Sequence, residues 1–194
     1  MAREASDLVP MPALPLHQRL VFDSASGAVL DASRRYVLLR ADVLMGLFDA
    51  LPAAARDAAL QAFGRSVATH GADSLRAYAA EPGVDAAALQ RTVESAAASL
   101  GWGRWTLAQE FETLTLSVDN SPFASAATPS AQPVCAAIAG MLEALATIVF
   151  AQPASARETA CAATGAPRCR FHASVAGAPA LVFPSLEPPQ ETSP

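Results

Sequence analysis

Hydrophobic residues recur at helical spacing through the first half of the chain. Apolar positions three or four residues apart predict three helices, at residues 41–50, 53–80 and 86–100. Pro52 ends the first helix, and Asp85 provides an N-cap for the third. Gly64 and Gly71 lie inside the second helix, and each weakens it by about 1 kcal/mol relative to alanine. We therefore expect close packing or a ligand beside these two glycines.

From residue 102 onward the spacing changes to the alternation that is typical of strands. Leu114, Leu116 and Val118 fall on one face of such a strand, which indicates an antiparallel sheet with one solvated face. Further apolar runs predict two more hairpins and one strongly apolar helix, at residues 19–30, 157–171 and 136–150 respectively. This order of elements predicts an α+β fold, with helices packed on an antiparallel sheet.

The two ends of the chain differ in composition from the middle. Residues 1–18 carry three prolines among small residues and predict a flexible N-terminal arm. Residues 184–194 carry four prolines and predict a proline-rich tail. Because residues 19–183 contain no internal repeat, we expect them to form a single domain.

Composition and charge argue against several functions. The net charge of −5 argues against a nucleic-acid partner, because a phosphate backbone requires a basic surface. All thirteen basic residues are arginine, which excludes a Schiff-base or P-loop lysine within this sequence. Glu143 interrupts the longest apolar run, so we expect no membrane span. No signal peptide is visible and the cysteine count is odd, so we expect a cytoplasmic protein with reduced thiols.

All three cysteines, Cys135, Cys161 and Cys169, lie in the last third of the chain, with Glu158 among them. Thiolates joined by a carboxylate or an imidazole are typical zinc ligands. A turn rich in glycine and proline would bring Cys161 and Cys169 together, and Cys135 begins the apolar helix. Two alternatives stay open on spacing alone. The cysteines could be ordinary core residues, or His172 could replace Glu158, although strand alternation directs it to the opposite face.

A resemblance to a known family rests on residues in this same region. The string consists of Asn120-Ser121, Pro133-Val134-Cys135, Gly140, Glu158-x-x-Cys161, Gly165 and Cys169. It resembles the 4-vinyl reductase domain family, which includes the sensory domains of phenol- and xylene-responsive bacterial activators and a bacteriochlorophyll-synthesis accessory protein. The resemblance implies a fold similar to that of eukaryotic transport-particle subunits. We expect a stand-alone member of this family.

The resemblance also implies a set of metal ligands. In the phenol-sensing members, three cysteines and a glutamate at a similar spacing hold a zinc ion. Carried over to this sequence, the corresponding residues are Cys135, Glu158, Cys161 and Cys169. Four protein ligands leave no open position for water, so the implied Zn²⁺ is structural rather than catalytic.

A further implication is a pocket for a small hydrophobic or aromatic ligand, since such sites are concave and mostly apolar. The candidate lining residues are Phe63, Val67, His70, Tyr78, Trp102, Trp105, Phe111 and Phe123. Each could instead be a core residue, and His70 could be a solvated surface histidine. The phenol sensors have a tryptophan shortly before the Asn-Ser pair, where this chain has Val118. We therefore expect a more apolar pocket than a phenol site.

These observations lead to three hypotheses about function. The first is a homodimeric binding module, a sensor or carrier of a hydrophobic ligand stabilised by structural zinc. The second is an accessory factor in tetrapyrrole or bacteriochlorophyll synthesis that assists vinyl reduction. The third is a dimerisation scaffold, because the related transport-particle subunits act by assembly. The sequence contains no nucleotide-binding glycine fingerprint and no catalytic triad, so we expect a binding protein rather than an enzyme.

Overall fold

The computed structural model describes residues 15–175. Its helices are α1 (Leu16–Arg19), α2 (Ala41–Asp49), α3 (Ala53–Ala79), α4 (Ala86–Ser99), α5 (Pro122–Ala126) and α6 (Ala136–Phe150). Its strands are β1 (Val21–Asp23), β2 (Ala28–Asp31), β3 (Arg34–Tyr36), β4 (Arg104–Glu110), β5 (Thr113–Asp119), β6 (Ala154–Ala160) and β7 (Cys169–Val175). Most of the predicted arm and the whole predicted proline-rich tail lie outside the described residues.

The long elements lie where the spacing predicts them, and the α+β fold class is confirmed. The sequence did not indicate three short elements, α1, β3 and α5, because elements of three to five residues are too short to show a period. Helix α1 begins within the segment predicted as a flexible arm. Its Leu16 is buried, and α1 packs against α4. Helix α5 occupies part of the predicted loop, where Ser121 accepts a hydrogen bond as its N-cap.

The strands form two antiparallel sheets. Strands β1, β2 and β3 form a small meander, and the larger sheet has the order β4-β5-β7-β6. One face of the central strands is buried, and Leu114, Leu116 and Val118 lie on it as predicted. In the register of β5 and β7, Leu116 pairs with Phe171 and Val118 pairs with Cys169. This register places Cys169 at the end of the buried face, next to the hydrophobic core.

Helix α6 is the buried centre of the fold. It packs against α3 on one side and against strands of the larger sheet on the other, so it is apolar on nearly every side. Ile138, Leu142 and Leu145 are fully buried. Its one charged residue, Glu143, accepts a hydrogen bond of 3.3 Å from the backbone N–H of Ala156 on the edge strand β6. None of the helices between residues 15 and 175 is both long enough and apolar enough to cross a membrane.

Two glycines allow α3 and α6 to cross in close contact. A Cβ atom added to Gly140 would lie 2.0 Å from the backbone oxygen of Gly64. A Cβ atom added to Gly64 would lie 2.6 Å from the backbone oxygen of Ala136. The close packing expected beside Gly64 is therefore confirmed. Gly71 faces the flexible end of Met141, whose Cε atom would lie 2.7 Å from an added Cβ.

Candidate metal centre and cavity

Four side chains with metal-binding atoms lie together at the beginning of α6. The sulfurs of Cys135, Cys161 and Cys169 and a carboxylate oxygen of Glu158 all lie within 4.8 Å of one another. The three cysteines are buried and Glu158 is half-buried. The structure thus brings together the four residues that the sequence singled out. His172 alternates with the buried residues of β7 and lies outside this cluster.

Cys135 is the N-cap residue of α6 and has two polar neighbours. Its backbone N–H donates a hydrogen bond of 2.9 Å to Oε2 of Glu158. Its Sγ lies 3.3 Å from the Oγ of Ser121, a buried residue. That oxygen already accepts from the N–H of Ala124 at 3.4 Å, which leaves its own hydrogen free to point at the sulfur. The sequence string contained Ser121, but only the fold brings it into contact with Cys135.

A bulge in β6 places Glu158 and Cys161 on the same side of the chain. In a regular strand, residues three apart point to opposite faces. Here Glu158 pairs with Phe171 while Ala160 pairs with the adjacent Arg170, so one extra residue is inserted in β6. An inserted residue reverses the alternation beyond it. The two candidate ligands can therefore face the same cluster.

The loop between β6 and β7 brings Cys161 and Cys169 together. A 3₁₀ turn over Ala162–Thr164 is followed by Gly165, whose φ of +97° is rarely adopted by other residues. The hydroxyl of Thr164 donates to the carbonyl of Cys161 at 2.8 Å. The N–H of Ala162 donates to the Sγ of Cys169 at 3.3 Å. This loop therefore fixes both sulfurs through backbone geometry.

The separations between the sulfurs fit a tetrahedral metal site. Cys135 Sγ lies 4.0 Å from Cys161 Sγ and 3.7 Å from Cys169 Sγ. In a tetrahedral site with zinc–sulfur bonds of about 2.3 Å, two sulfurs are about 3.8 Å apart. A disulfide would need about 2.05 Å, and all three cysteines are free. The geometry is therefore that of a set of ligands rather than of a disulfide.

The electrostatics of the cluster also call for a cation. Oε1 of Glu158 is buried and has no hydrogen-bond partner among the described residues. Burial, together with contact with Cys161, raises the pKa of Glu158 to about 8. Contact with Cys135 lowers the pKa of Cys161, and contact with Cys161 raises the pKa of Cys135. The cluster thus resists holding several negative charges by itself, and a bound cation would offset them. The donor set fits Zn²⁺.

A cavity of about 500 Å³ extends along α3 and α4, between β3 and the tryptophans near β4. Five of the predicted ligand-binding residues lie on its wall: Val67, His70, Tyr78, Trp102 and Trp105. Met141 of α6 also lines it. The helix that begins at the candidate metal centre therefore forms part of the cavity wall.

The other three predicted ligand-binding residues do not line this cavity. Phe63 and Phe123 belong to an aromatic core cluster, with ring centroids 6.2 Å apart. In that cluster Phe48 lies 5.8 Å from Phe63, and Trp102 lies 5.3 Å from Phe123. Phe111 is 87% exposed at the turn between β4 and β5, where its φ is +49°. Its aromatic character suggested burial, but its position in the turn directs it to solvent.

The cavity also has lining residues that sequence reasoning missed. Ser66 and Ser74 flank His70 on α3 at intervals of four residues, a spacing that the sequence does contain. Arg34, Arg35 and Tyr36 of β3 also line the cavity, and no local pattern could have paired this short strand with α3. The sequence predicted a predominantly apolar pocket, whereas the cavity has an apolar wall and a polar wall.

Comparisons with known proteins agree with this architecture. Residues 114–175 match the family model of the vinyl-4-reductase domain. The phenol-responsive sensory domain of the transcription activator PoxR, solved with phenol, has a TM-score of 0.70 and 18% identity, covering 82% of this chain and 86% of that one. A vinyl-4-reductase family protein from Methanocaldococcus jannaschii has a TM-score of 0.45 and 12% identity, covering 68% of this chain and 74% of that one. A trafficking protein particle complex subunit 3 from Naegleria fowleri, covalently bound to palmitic acid, has a TM-score of 0.44 and 12% identity, covering 69% of this chain and 93% of that one.

No curated protein is similar enough in sequence to be matched to this chain. At 18% identity, the likeness to the PoxR domain shows the fold, which is the α+β fold described above. The segment matched by the family model contains all four residues of the candidate metal centre. The family resemblance based on the cysteine and glutamate string is therefore confirmed, and residues 114–175 of this chain match the vinyl-4-reductase domain.

Proposed function

We propose that this protein is a ligand-binding module of the 4-vinyl reductase type, a sensor or carrier whose fold is stabilised by a structural zinc ion. One observation carries the proposal. Helix α6 begins at the cluster of three buried cysteines and Glu158, and five residues further along it supplies Met141 to the cavity wall. A metal that fixes the beginning of α6 would therefore also fix one wall of the cavity.

The proposed ligands of Zn²⁺ are Cys135, Glu158, Cys161 and Cys169. Bound there, the ion would supply the positive charge that allows three thiolates and a carboxylate to lie together. These residues tie the start of α6 to β6 and to β7. Because four protein ligands leave no position for water, the proposed role is structural.

The cavity supports a hydrophobic or aromatic ligand. Its volume of about 500 Å³ lies within the range of about 300–1,000 Å³ that is usual for small-molecule sites. Trp102 and Trp105 offer aromatic surface, and Val93, Ala97 and Leu100 continue the apolar wall. The PoxR domain, which shares the fold, is a phenol-responsive sensory domain, and this likeness supports a sensor role.

Filling the cavity tests this proposal. We expect Ala96→Phe, on the cavity wall, to weaken the binding of N-phenyl-1-naphthylamine about tenfold or more. This neutral aromatic probe fluoresces strongly in apolar surroundings, so a fluorescence titration measures its affinity. The matched control is Ala98→Phe, which adds the same ring on the exposed side of α4 and should leave affinity unchanged. Equal affinities in the two variants would place the probe outside the cavity and contradict the proposal.

A second candidate function, a dimerisation scaffold, is favoured by exposed apolar side chains on and before α2. The most exposed are Val37 at 82%, Leu38 at 68% and Leu47 at 62%. Neighbouring exposed apolar residues of this kind mark interaction surfaces in soluble proteins. The proposed partner is a second copy of this chain.

Analytical ultracentrifugation of the wild-type protein and of Leu38→Glu tests this second candidate. We expect a wild-type dimer, and a monomer in the variant, because a dimer would have to bury the new charge without a partner. The control Thr69→Glu adds the same charge on an exposed position of α3 and should remain dimeric. A monomeric wild-type protein would remove the scaffold function.

A further inference from the structure

We propose that the cavity binds an aromatic acid, whose anionic group is received by Arg34 and Arg35 and whose apolar body lies against the tryptophans. The inference rests on the proposed function, because it names the chemical class of the ligand for the same cavity. Its basis is the unequal distribution of polar groups over the cavity walls.

The first step concerns the two arginines of β3. In the described part of the chain, neither guanidinium forms an ion pair with a carboxylate. Arg34 donates to the backbone oxygen of Asp73 at 3.5 Å, and Arg35 donates to that of Gly27 at 3.3 Å. Since a guanidinium has five N–H donors in a planar fork, most of these donors stay available. Such a fork matches a carboxylate or a sulfonate.

The second step concerns the face of α3 that lines the same cavity. Ser66, His70 and Ser74 follow one another at intervals of four residues and form a polar row. None of these side chains makes a hydrogen bond to another side chain or backbone group between residues 15 and 175. Asp73 also lies on this wall, but its carboxylate pairs with Arg76 at 2.9 Å. The polar wall is therefore rich in donors suited to an anion.

The third step concerns the opposite wall, which offers an entering ligand little hydrogen bonding. Val93, Ala97 and Leu100 are apolar, and the indole N–H of Trp105 already donates to the backbone oxygen of Trp102 at 3.0 Å. A ligand that meets both walls must therefore combine an apolar body with an acidic group. The two indole rings favour an aromatic body.

Two fluorescent probes separate the contribution of the acid from that of the rings. 8-Anilinonaphthalene-1-sulfonate and N-phenyl-1-naphthylamine share the same ring system, and only the former carries a sulfonate. We expect the wild-type protein to bind the sulfonate probe more tightly. In the double variant Arg34→Gln/Arg35→Gln, the affinity for the sulfonate probe should fall about tenfold or more. The affinity for the neutral probe should change by less than about twofold, since the apolar wall is untouched.

The control is Arg91→Gln, which removes an exposed arginine outside the cavity and should leave both affinities unchanged. The Ala96→Phe variant locates the sulfonate probe, because filling the cavity should weaken the binding of both probes. Unchanged binding of the sulfonate probe in the double arginine variant would overturn the inference while leaving the hydrophobic site intact. An equal loss of both probes would overturn it too, because the arginines would then shape the cavity rather than bind the acid. A wild-type protein that binds neither probe would contradict the proposed function itself.

Discussion

Cys161→Ser is expected to release the metal and to lower the free energy of unfolding by several kcal/mol, because a site assembled only in the folded state couples metal binding to folding. Cys161 is almost completely buried at the end of β6, close to the sulfur of Cys135 at the start of α6. A serine hydroxyl is a poor zinc ligand compared with a thiolate. Loss of the metal would also leave the buried oxygen of Glu158 without compensation.

The measurement combines elemental analysis for zinc with urea unfolding in the presence and absence of a chelator. The chelator should lower the stability of the wild-type protein to the level of Cys161→Ser, and it should leave the variant itself unchanged. Glu158→Gln serves as a second variant, since the amide oxygen can still accept from Cys135 N–H but carries no charge. It should also bind the metal more weakly. The control Ser155→Ala, at an exposed position of β6, should retain both metal and stability.

A wild-type protein that contains no zinc and whose unfolding ignores the chelator would contradict the structural metal site. The three cysteines would then be core residues in contact with one another, which is the alternative that the spacing left open. In that case Cys161→Ser should cost only the free energy of burying a hydroxyl in place of a thiol. The two hypotheses therefore differ in the response to the chelator and not merely in the size of the destabilisation.

Gly140→Ala is expected to destabilise the fold by about 1–3 kcal/mol or more, because it overpacks the crossing of α3 and α6. The added methyl group would lie 2.0 Å from the backbone oxygen of Gly64, and a backbone atom cannot rotate away as a side chain does. The two helices would have to move apart. Since α6 also supplies Met141 to the cavity, probe binding should weaken as well.

Chemical denaturation of matched glycine variants measures this effect. Gly46→Ala in α2 is the control, because an added Cβ there meets nothing within 4 Å. That change should stabilise the protein by about 0.5–1 kcal/mol through the higher helix propensity of alanine. If Gly140→Ala were as stable as Gly46→Ala, the close crossing of the helices would be contradicted.

The metal cluster illustrates how far local sequence reasoning reaches. Cys135, Glu158, Cys161 and Cys169 could be selected because few residue types bind metals and all three cysteines lie in one region. Spacing alone could not choose between Glu158 and His172. The bulge in β6 makes that choice, and a bulge depends on the pairing of two strands rather than on the residues of one.

The cavity illustrates where such reasoning stops. Eight residues were predicted from their aromatic or apolar character, and five of them line the cavity. Phe63 and Phe123 were indistinguishable from these in the sequence, yet they pack on each other in the core. Arg34 and Arg35, which lie on the cavity wall, carried no signal at all, because a three-residue strand shows no periodicity.

Local patterns in the sequence were enough to specify the extents of the long helices, the buried face of β5 and the four residues of the candidate metal centre. These features depend on interactions between near neighbours, since the helical period, strand alternation and capping act over a few residues. The identity of the side chains that border the cavity, and the distribution of charge around it, came from the three-dimensional packing instead. Both depend on β3, α3, α4 and α6 meeting in space, and the side chains that meet there are far apart along the chain.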